Sequence, residues 1–280
     1  MQWQENFGIR NLKYEGCLHK ILCMRALSRN FINLLAYDKQ FFDRGYENII
    51  GADEAGRGPL AGPVIAGAVW ISEAFLNANL PDETVLQFQD SKTLSEIQRE
   101  NAFKTLQSWQ NDGLLRFAYG ESSVAEIERG NILYATTLAF RRALENLQAQ
   151  LDFKLPSKEI LLQKTDPRNV YIMVDGYPFK RLPYLHNGLV KGDRTSFCIA
   201  AASIVAKVVR DQKMYEFAKL YPSYDFQENK GYGTAKHIAA LQTFGPCEIH
   251  RKSFLKKILE HSNSQRTFQQ QTLLECVCER

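Results

Sequence analysis

The chain has 280 residues and a net charge of +4, with 45% hydrophobic and 24% charged residues. These are the proportions of a globular protein with a sizeable core, and they exclude a disordered or collagen-like chain. No apolar run approaches the roughly 18 residues that span a bilayer. The N-terminal stretch MQWQENFGIRNLKYEG lacks the basic-then-apolar order of a secretory signal, and Glu5 and Glu15 argue against an organellar transit peptide. The expectation is a cytoplasmic, monomeric protein with no membrane partner.

The mild total charge hides a gradient. Between Pro178 and Lys257 stand 14 Lys and Arg against 6 Asp and Glu, a net +8, which leaves −4 for the rest of the chain. A basic C-terminal half suits a phosphate-backbone partner, and charge alone fits a lysine-rich solvated face equally well. The cysteines, at 17, 23, 198, 247, 276 and 278, form no CxxC pair, and Cys276-Val-Cys278 has no second pair to complete a zinc site. Free thiols in a reducing compartment are expected.

In chain order, residues 1–48 read as an N-terminal extension, partly helical through the spacing of Phe31, Leu34, Leu35 and Phe41; Met24 is an alternative start. A catalytic domain over 49–257 and a polar, Gln-rich tail over 258–280 follow. Ile49–Ala52 is a buried-strand candidate that ends at Asp53. A glycine turn joins it to a second strand over Pro63–Ile71, so the two predict a hairpin. Ser95 is set to cap a helix with the body EIQRENAFKTLQSW. Arg116–Gly120 reads as a third strand, and Ser123 with Glu126 has capping-box spacing. An amphipathic helix over Asn131–Leu151 precedes a polar connector. Val170–Val174 is a strand ending at Asp175, and Gly188–Val190 is a short one ending before Lys191-Gly192-Asp193. Ser196–Leu220 is an Ala-rich helix, Tyr221–Gly233 an aromatic loop, and Thr234 starts another helix. Alternating strands and helices after a hairpin imply an α/β fold with a mixed sheet.

The acids recur at strand ends. Asp53 with Glu54, Asp175 and Asp193 would converge on the crevice where such sheets bind ligands. Four carboxylates there repel one another unless a cation intervenes, and oxygen-only donors suit Mg²⁺ or Mn²⁺ rather than zinc. Two such ions form a common device for phosphodiester hydrolysis. A single Asp after a strand is more often a turn or cap residue. The adjacent pair before Gly56 and Gly58 is less readily explained that way. Neighbouring strand residues face opposite ways, so both reach one ion only if the chain bends.

The stretches DEAGRGPLAGPV (53–64), DSKTLS (90–95), NILYATTLAFRRAL, VDG (174–176), VKGD (190–193), AAASIVAKVVRD (200–211), KGYGT (230–234) and IHRKSF (249–254) occur in the order found in bacterial ribonuclease HII, the type 2 ribonuclease H family, which the chain resembles over about 30–256. The resemblance implies a ribonuclease H-like fold: a mixed five-stranded sheet flanked by helices, with a helical C-terminal part. It implies a metal-dependent endoribonuclease that uses two Mn²⁺ or Mg²⁺ ions. Its substrates would be RNA–DNA hybrids and DNA duplexes containing single ribonucleotides, cut on the 5′ side to leave 5′-phosphate and 3′-OH. Asp53, Glu54, Asp175 and Asp193 match the catalytic, metal-binding acids. The backbone of Gly56, Arg57 and Gly58 matches the motif that reads the 2′-OH, the group that tells RNA from DNA. Tyr232 matches a tyrosine that packs on the adjoining sugar.

Lys92, Lys191 and Lys230, with Ser91, Arg194 and Lys207, are candidate phosphate contacts. Asp211 rivals Asp193 as fourth acid but reads as a helix ion-pair member. Trp70 and Trp109 read as packing residues. The chain departs from the family at Asn229, often His, which removes a proton shuttle there. The rival readings are the type 3 relative, which typically has Lys at position 57 and a large N-terminal domain, and a non-catalytic hybrid-binding protein.

Overall fold

The computed structural model describes residues 32–78, 88, 94–157 and 170–256. β1 (Asn48–Ala55) and β2 (Val64–Ser72) form the hairpin, antiparallel from Asn48↔Ser72 to Ala55↔Ile65. β3 (Leu115–Ser122) adds antiparallel to β2. β4 (Val170–Asp175) runs parallel to β1, and β5 (Asn187–Leu189) runs parallel to β4. The order β3-β2-β1-β4-β5 makes the mixed five-stranded sheet expected from the sequence.

Both faces of the sheet are covered, which is why β1 carries the unbroken apolar run from Ile49 to Ala52 rather than an alternating one. The strand period of two sorts its side chains between two cores. Ile49, Ile65, Val69 and Ile71 share one with α5 (Phe197–Leu220). Ile50, Ala52, Val64, Ala66 and Ala68 share the other with α4 (Ile132–Gln148). Each buried Ile or Phe contributes roughly 1.5–3 kcal/mol. The Ala-rich stretch of α5 lies directly on β2. At Gly67 a Cβ would stand 2.3 Å from the Ala202 carbonyl oxygen, an atom of helix backbone with nowhere to go.

The helix over 32–42, α1, is built into the α5-side core. Leu34, Phe41 and Phe42 are buried there, and Phe41 stacks on Tyr171 of β4 at 4.1 Å between ring centroids. The buried Asp38 accepts the Cys198 N–H at 2.9 Å, at the start of α5. Residues 32–42 are therefore part of the packed unit and not an appendage to it. Residues 1–31 and the tail from 257 lie outside the described residues.

Local rules set the helix starts. At α2 (Glu96–Asn111) the Ser95 hydroxyl accepts the Gln98 N–H at 3.3 Å while Gln98 Oε1 accepts the Ser95 N–H at 2.8 Å. Ser123 and Glu126 make the same box at α3 (Val124–Gly130). Thr234 caps α6 (Ala235–Phe244). Trp109 is buried among Phe75, Phe88 and Phe197. α6, the turn Phe226–Asn229 and the helical residues 252–256 form the C-terminal part. Its small core includes Ala61, so it grips the loop after β1. Among the described residues no helix is long and apolar enough to cross a membrane.

Candidate active site

β1 does not stop at Asp53: pairing with β2 continues to Ala55, so strand geometry sends Asp53 and Glu54 to opposite faces. Asp53 is buried on the α5 side, where it accepts the Ser203 hydroxyl and, at 2.7 Å, the Glu54 N–H. Glu54 lines an open cleft and pairs with Arg57 at 2.9 Å. Because Ala52 pairs with Val174, Asp175 sits one step further along β4, beside Asp53. Its carboxylate accepts the Gly192 N–H at 2.7 Å. Asp193 is the next residue, buried in the turn Gly192–Arg194. The cleft, about 620 Å³, runs from Glu54 and Asp175 past Arg57 and Asn131 to Tyr177 and Arg181.

Burial, and then the charges of Glu54 and Asp175, push the Asp53 carboxyl well above the usual carboxylate range. The expected four-acid centre is thus present as a set of neighbours. It is not drawn up as a closed shell: among the described residues no three acidic, His or Cys side chains converge as ligands of one ion. The sheet explains why. The continued pairing of β1 keeps Glu54 on the face away from Asp53, and Glu54 and Asp175 are each turned to a hydrogen-bond donor of the protein. The donor set is nonetheless all oxygen, and the repulsion felt by Asp53 is what a hard divalent cation relieves. These residues fit Mn²⁺ or Mg²⁺.

The loop from Gly56 to Pro63 hangs on two buried arginines. Arg251 donates to the carbonyls of Gly56 (2.6 Å), Arg57 (3.1 Å), Pro59 (2.8 Å) and Gly62 (2.7 Å). Arg210, from α5, donates to Pro63 (3.2 Å), Ala61 (3.2 Å) and Lys230 (3.0 Å). Burial, then the Arg210 charge, brings the Arg251 guanidinium down to about 9. A trans peptide sets N–H opposite C=O, so carbonyls of Gly56 and Arg57 held inward turn the N–H groups of Arg57 and Gly58 outward. Gly56 has φ +98, and a Cβ there would lie 2.2 Å from Arg210 Nε, so glycine is required.

Tyr232 stands beside this loop. A Cβ on Gly58 would meet Tyr232 Cε1 at 3.9 Å, so the structure brings the two sugar-reading candidates together. Lys191 is exposed, in a left-handed conformation at φ 59. The Lys230 ammonium lies 3.8 Å above the Tyr215 ring and 3.8 Å from Glu96. Lys207 pairs with Asp211 at 2.7 Å, and Arg99 approaches the same acid at 3.9 Å, the ion-pair role expected of Asp211. Ser91 and Lys92 lie outside the described residues. Asn229 is buried: its amide donates to Tyr224 O at 2.6 Å and its Oδ1 accepts the Gly231 N–H at 2.8 Å, which shapes the approach to Tyr232.

Sequence reasoning missed Arg210, Arg251 and Ser203 as individual site residues. For Arg210 a signal existed, since an Arg directly after Val208 and Val209 in an Ala-rich core helix calls for buried acceptors. Arg251 and Ser203 lie in matched stretches, but which carbonyls or acids they meet depends on contacts 150 to 195 positions away in sequence, as with Arg251 and Gly56.

The sequence profile of the family described as Ribonuclease HII matches residues 50–257. A Ribonuclease HII of Fusobacterium nucleatum is 42% identical over 226 residues, covering 78% of this chain and 91% of that protein. One from Acetivibrio thermocellus is 37% identical over 256 residues, covering 91% and 84%. Among solved structures, the ribonuclease H2 of Pyrococcus horikoshii OT3 superposes with a TM-score of 0.54 at 23% identity, covering 77% of this chain and 99% of that one. Bst-RNase HIII in complex with Mn²⁺ gives 0.56 at 16% identity, covering 78% and 70%. At these identities the two structures show the fold alone.

Proposed function

Since the chain belongs to the ribonuclease HII family and is an endoribonuclease of ribonuclease H type 2, we propose that it cuts RNA–DNA hybrids and also the 5′ side of single ribonucleotides embedded in duplex DNA. Asp53, Glu54 and Asp175 would hold the divalent ions, Mn²⁺ or Mg²⁺, with Asp193 completing the set. Bound there, the ions supply a lowered pKa for the attacking water and neutralise the leaving oxygen. The outward N–H groups of Arg57 and Gly58 would meet the 2′-OH and the phosphate beside it, and Tyr232 would pack on the next sugar. Arg57, Lys191 and the basic C-terminal half attract the backbone. Asp53 carries the reading: a buried carboxyl beside Asp175 and Glu54, whose proton affinity burial and then those two charges raise, is a place where a neighbouring cation would be favoured.

The test is a DNA duplex with one ribonucleotide, incubated with the protein and Mn²⁺ or Mg²⁺ and mapped at nucleotide resolution. A single cut 5′ of the ribonucleotide is expected. Cutting confined to long RNA tracts would move the substrate reading to the type 3 pattern. No cutting of any RNA-containing duplex with either ion would sink the metal assignment.

A further inference from the structure

Behind Tyr232 lie two buried histidines that take no part in the proposed chemistry. His237, in the first turn of α6, places Nδ1 2.8 Å from the Tyr232 carbonyl and Nε2 2.9 Å from His250 Nε2. His250 Nδ1 accepts the Cys247 N–H at 2.9 Å. The two ends fix the direction of the chain. A backbone N–H only donates, so His250 Nδ1 carries no proton and its Nε2 does. A carbonyl only accepts, so His237 Nδ1 carries the proton and its Nε2 accepts from His250. One run of hydrogen bonds leads from Cys247 N–H to Tyr232 C=O, and it exists only when both rings are neutral. An added proton on either ring sets two donors face to face.

The surroundings favour that state. Tyr224 packs edge-on against both rings, at 6.4 Å and 4.8 Å, and Phe226 packs edge-on against His237 at 5.3 Å and tilted against His250 at 5.5 Å. The ionisable groups facing the pair are Tyr224, whose hydroxyl donates to Gly245 O at 2.7 Å, and Cys247, whose thiol lies 3.1 Å from His250 Nδ1. Burial lowers the proton affinity of His237, and burial with the neighbouring His237 brings His250 to about 4. The Tyr232 carbonyl also accepts the Thr234 N–H at 2.8 Å, and the Tyr232 N–H donates to Asn229 O at 2.8 Å. The residue is thus held by its peptides while its ring projects into solvent beside Gly58.

We propose that His237 and His250 are positioning residues for substrate recognition: as a neutral, one-directional pair they anchor the Tyr232 backbone and so fix where its ring meets the sugar. The inference rests on the reading of Tyr232 as a sugar-packing residue. Neither histidine touches substrate.

A double-mutant cycle on steady-state cleavage tests it, run on the single-ribonucleotide duplex and on a uniform RNA–DNA hybrid. His237→Phe should raise KM about five- to tenfold with kcat within about twofold. His237→Asn, whose amide can replace the Nδ1 donor, should recover most of that loss. In a Tyr232→Ala background His237→Phe should change nothing further. ¹⁵N NMR of the wild type should show His237 protonated at Nδ1 and His250 at Nε2; the opposite tautomers overturn the proposal even if His237→Phe does not fold. Additive effects of His237→Phe and Tyr232→Ala, or an unchanged KM, also overturn it. If Tyr232→Ala leaves KM unchanged on both substrates, the Tyr232 reading and this inference fall together, while the acid site stands. If the wild type cuts only the hybrid, the single-ribonucleotide reading fails and the cycle on the hybrid still decides the role of the histidines.

Discussion

The end of β1 and the loop that follows it are two adjoining regions with opposite electrostatics. At the strand end, Asp53 is buried against Glu54 and Asp175, and all three charges have one sign. In the loop, Arg210 and Arg251 are buried just as deeply, yet their donors meet carbonyls from Gly56 to Pro63 and Lys230. The first region is left under repulsion that a ligand can relieve. The second is satisfied by the protein's own carbonyls. The proposed site, which would bind a cation and read a sugar edge, has use for both: stored repulsion where affinity is needed, and fixed geometry where selection is needed.

The largest effect is expected from removing the repulsion. Asp53→Asn should lower cleavage about 10³-fold or more, since it deletes a group that would hold the catalytic ion. It should also stabilise the metal-free protein. With its folded pKa raised, the Asp53 carboxyl makes its best contribution to stability below 3.8, and that contribution is lost as pH rises toward the folded value. The amide removes this loss. Thermal unfolding near neutral pH, with chelator and then with Mn²⁺, should show a higher midpoint without metal and a smaller shift on adding it. A lower metal-free midpoint in the variant would break the contrast between the regions.

Next in size is the satisfied side. Arg251→Met leaves buried carbonyls of Gly56, Arg57, Pro59 and Gly62 without donors, a loss of about 3–5 kcal/mol and about 10 °C in the unfolding midpoint. The Mn²⁺-induced rise in midpoint should survive, because the acids are untouched. A variant with an unchanged midpoint would show that the cage is not what holds the loop. Smaller still is Arg57→Lys. Its side chain makes an exposed pair with Glu54, while its carbonyl is held by Arg251. Cleavage should stay within about fivefold in kcat/KM. A collapse in activity would mean that the guanidinium itself reads the substrate.

The two regions differed in how far the sequence showed them. The hairpin, the strands β2 to β4, the N-cap at Ser95 and the capping box at Ser123 follow from local rules of period and capping and stand within a residue or two of where those rules put them, whereas β1 runs on past Asp53. The acids were visible as residue types at strand ends. Their facing was not, because whether β1 bends at Asp53 or pairs on to Ala55 depends on β2 across the turn. The arginine cage and the histidine chain were invisible as contacts for the same kind of reason: a donor's partners are decided by long-range packing, and period and propensity carry no information about it. Residues 1–48 read as an N-terminal extension in sequence, yet α1 closes the α5-side core, because what its apolar residues meet is decided by β4 and α5 far along the chain.

The smallest effect gives the sharpest control. Glu126 is an acid under the opposite influence to Asp53. Arg142 grips it with two bonds, at 2.9 Å and 2.8 Å, and Ser123 donates its N–H at 2.9 Å. Together, the Arg142 bonds first, they bring the carboxyl down to about 2. A lowered pKa gives stability that is present above the ordinary value of 4.5 and lost as pH falls through about 2. Arg142 is partly open to solvent, so Glu126→Gln should cost only about 1 kcal/mol at neutral pH. Its stability curve should also be flatter than the wild type's on the acid side. Asp53→Asn should flatten the curve in the other sense, by removing a loss that grows as pH rises. Midpoints measured across pH in chelator should therefore move apart, Glu126→Gln below the wild type and Asp53→Asn above it at neutral pH, with both gaps closing toward low pH. If both variants shifted the same way, the opposite electrostatics of these two acids would not be governing stability.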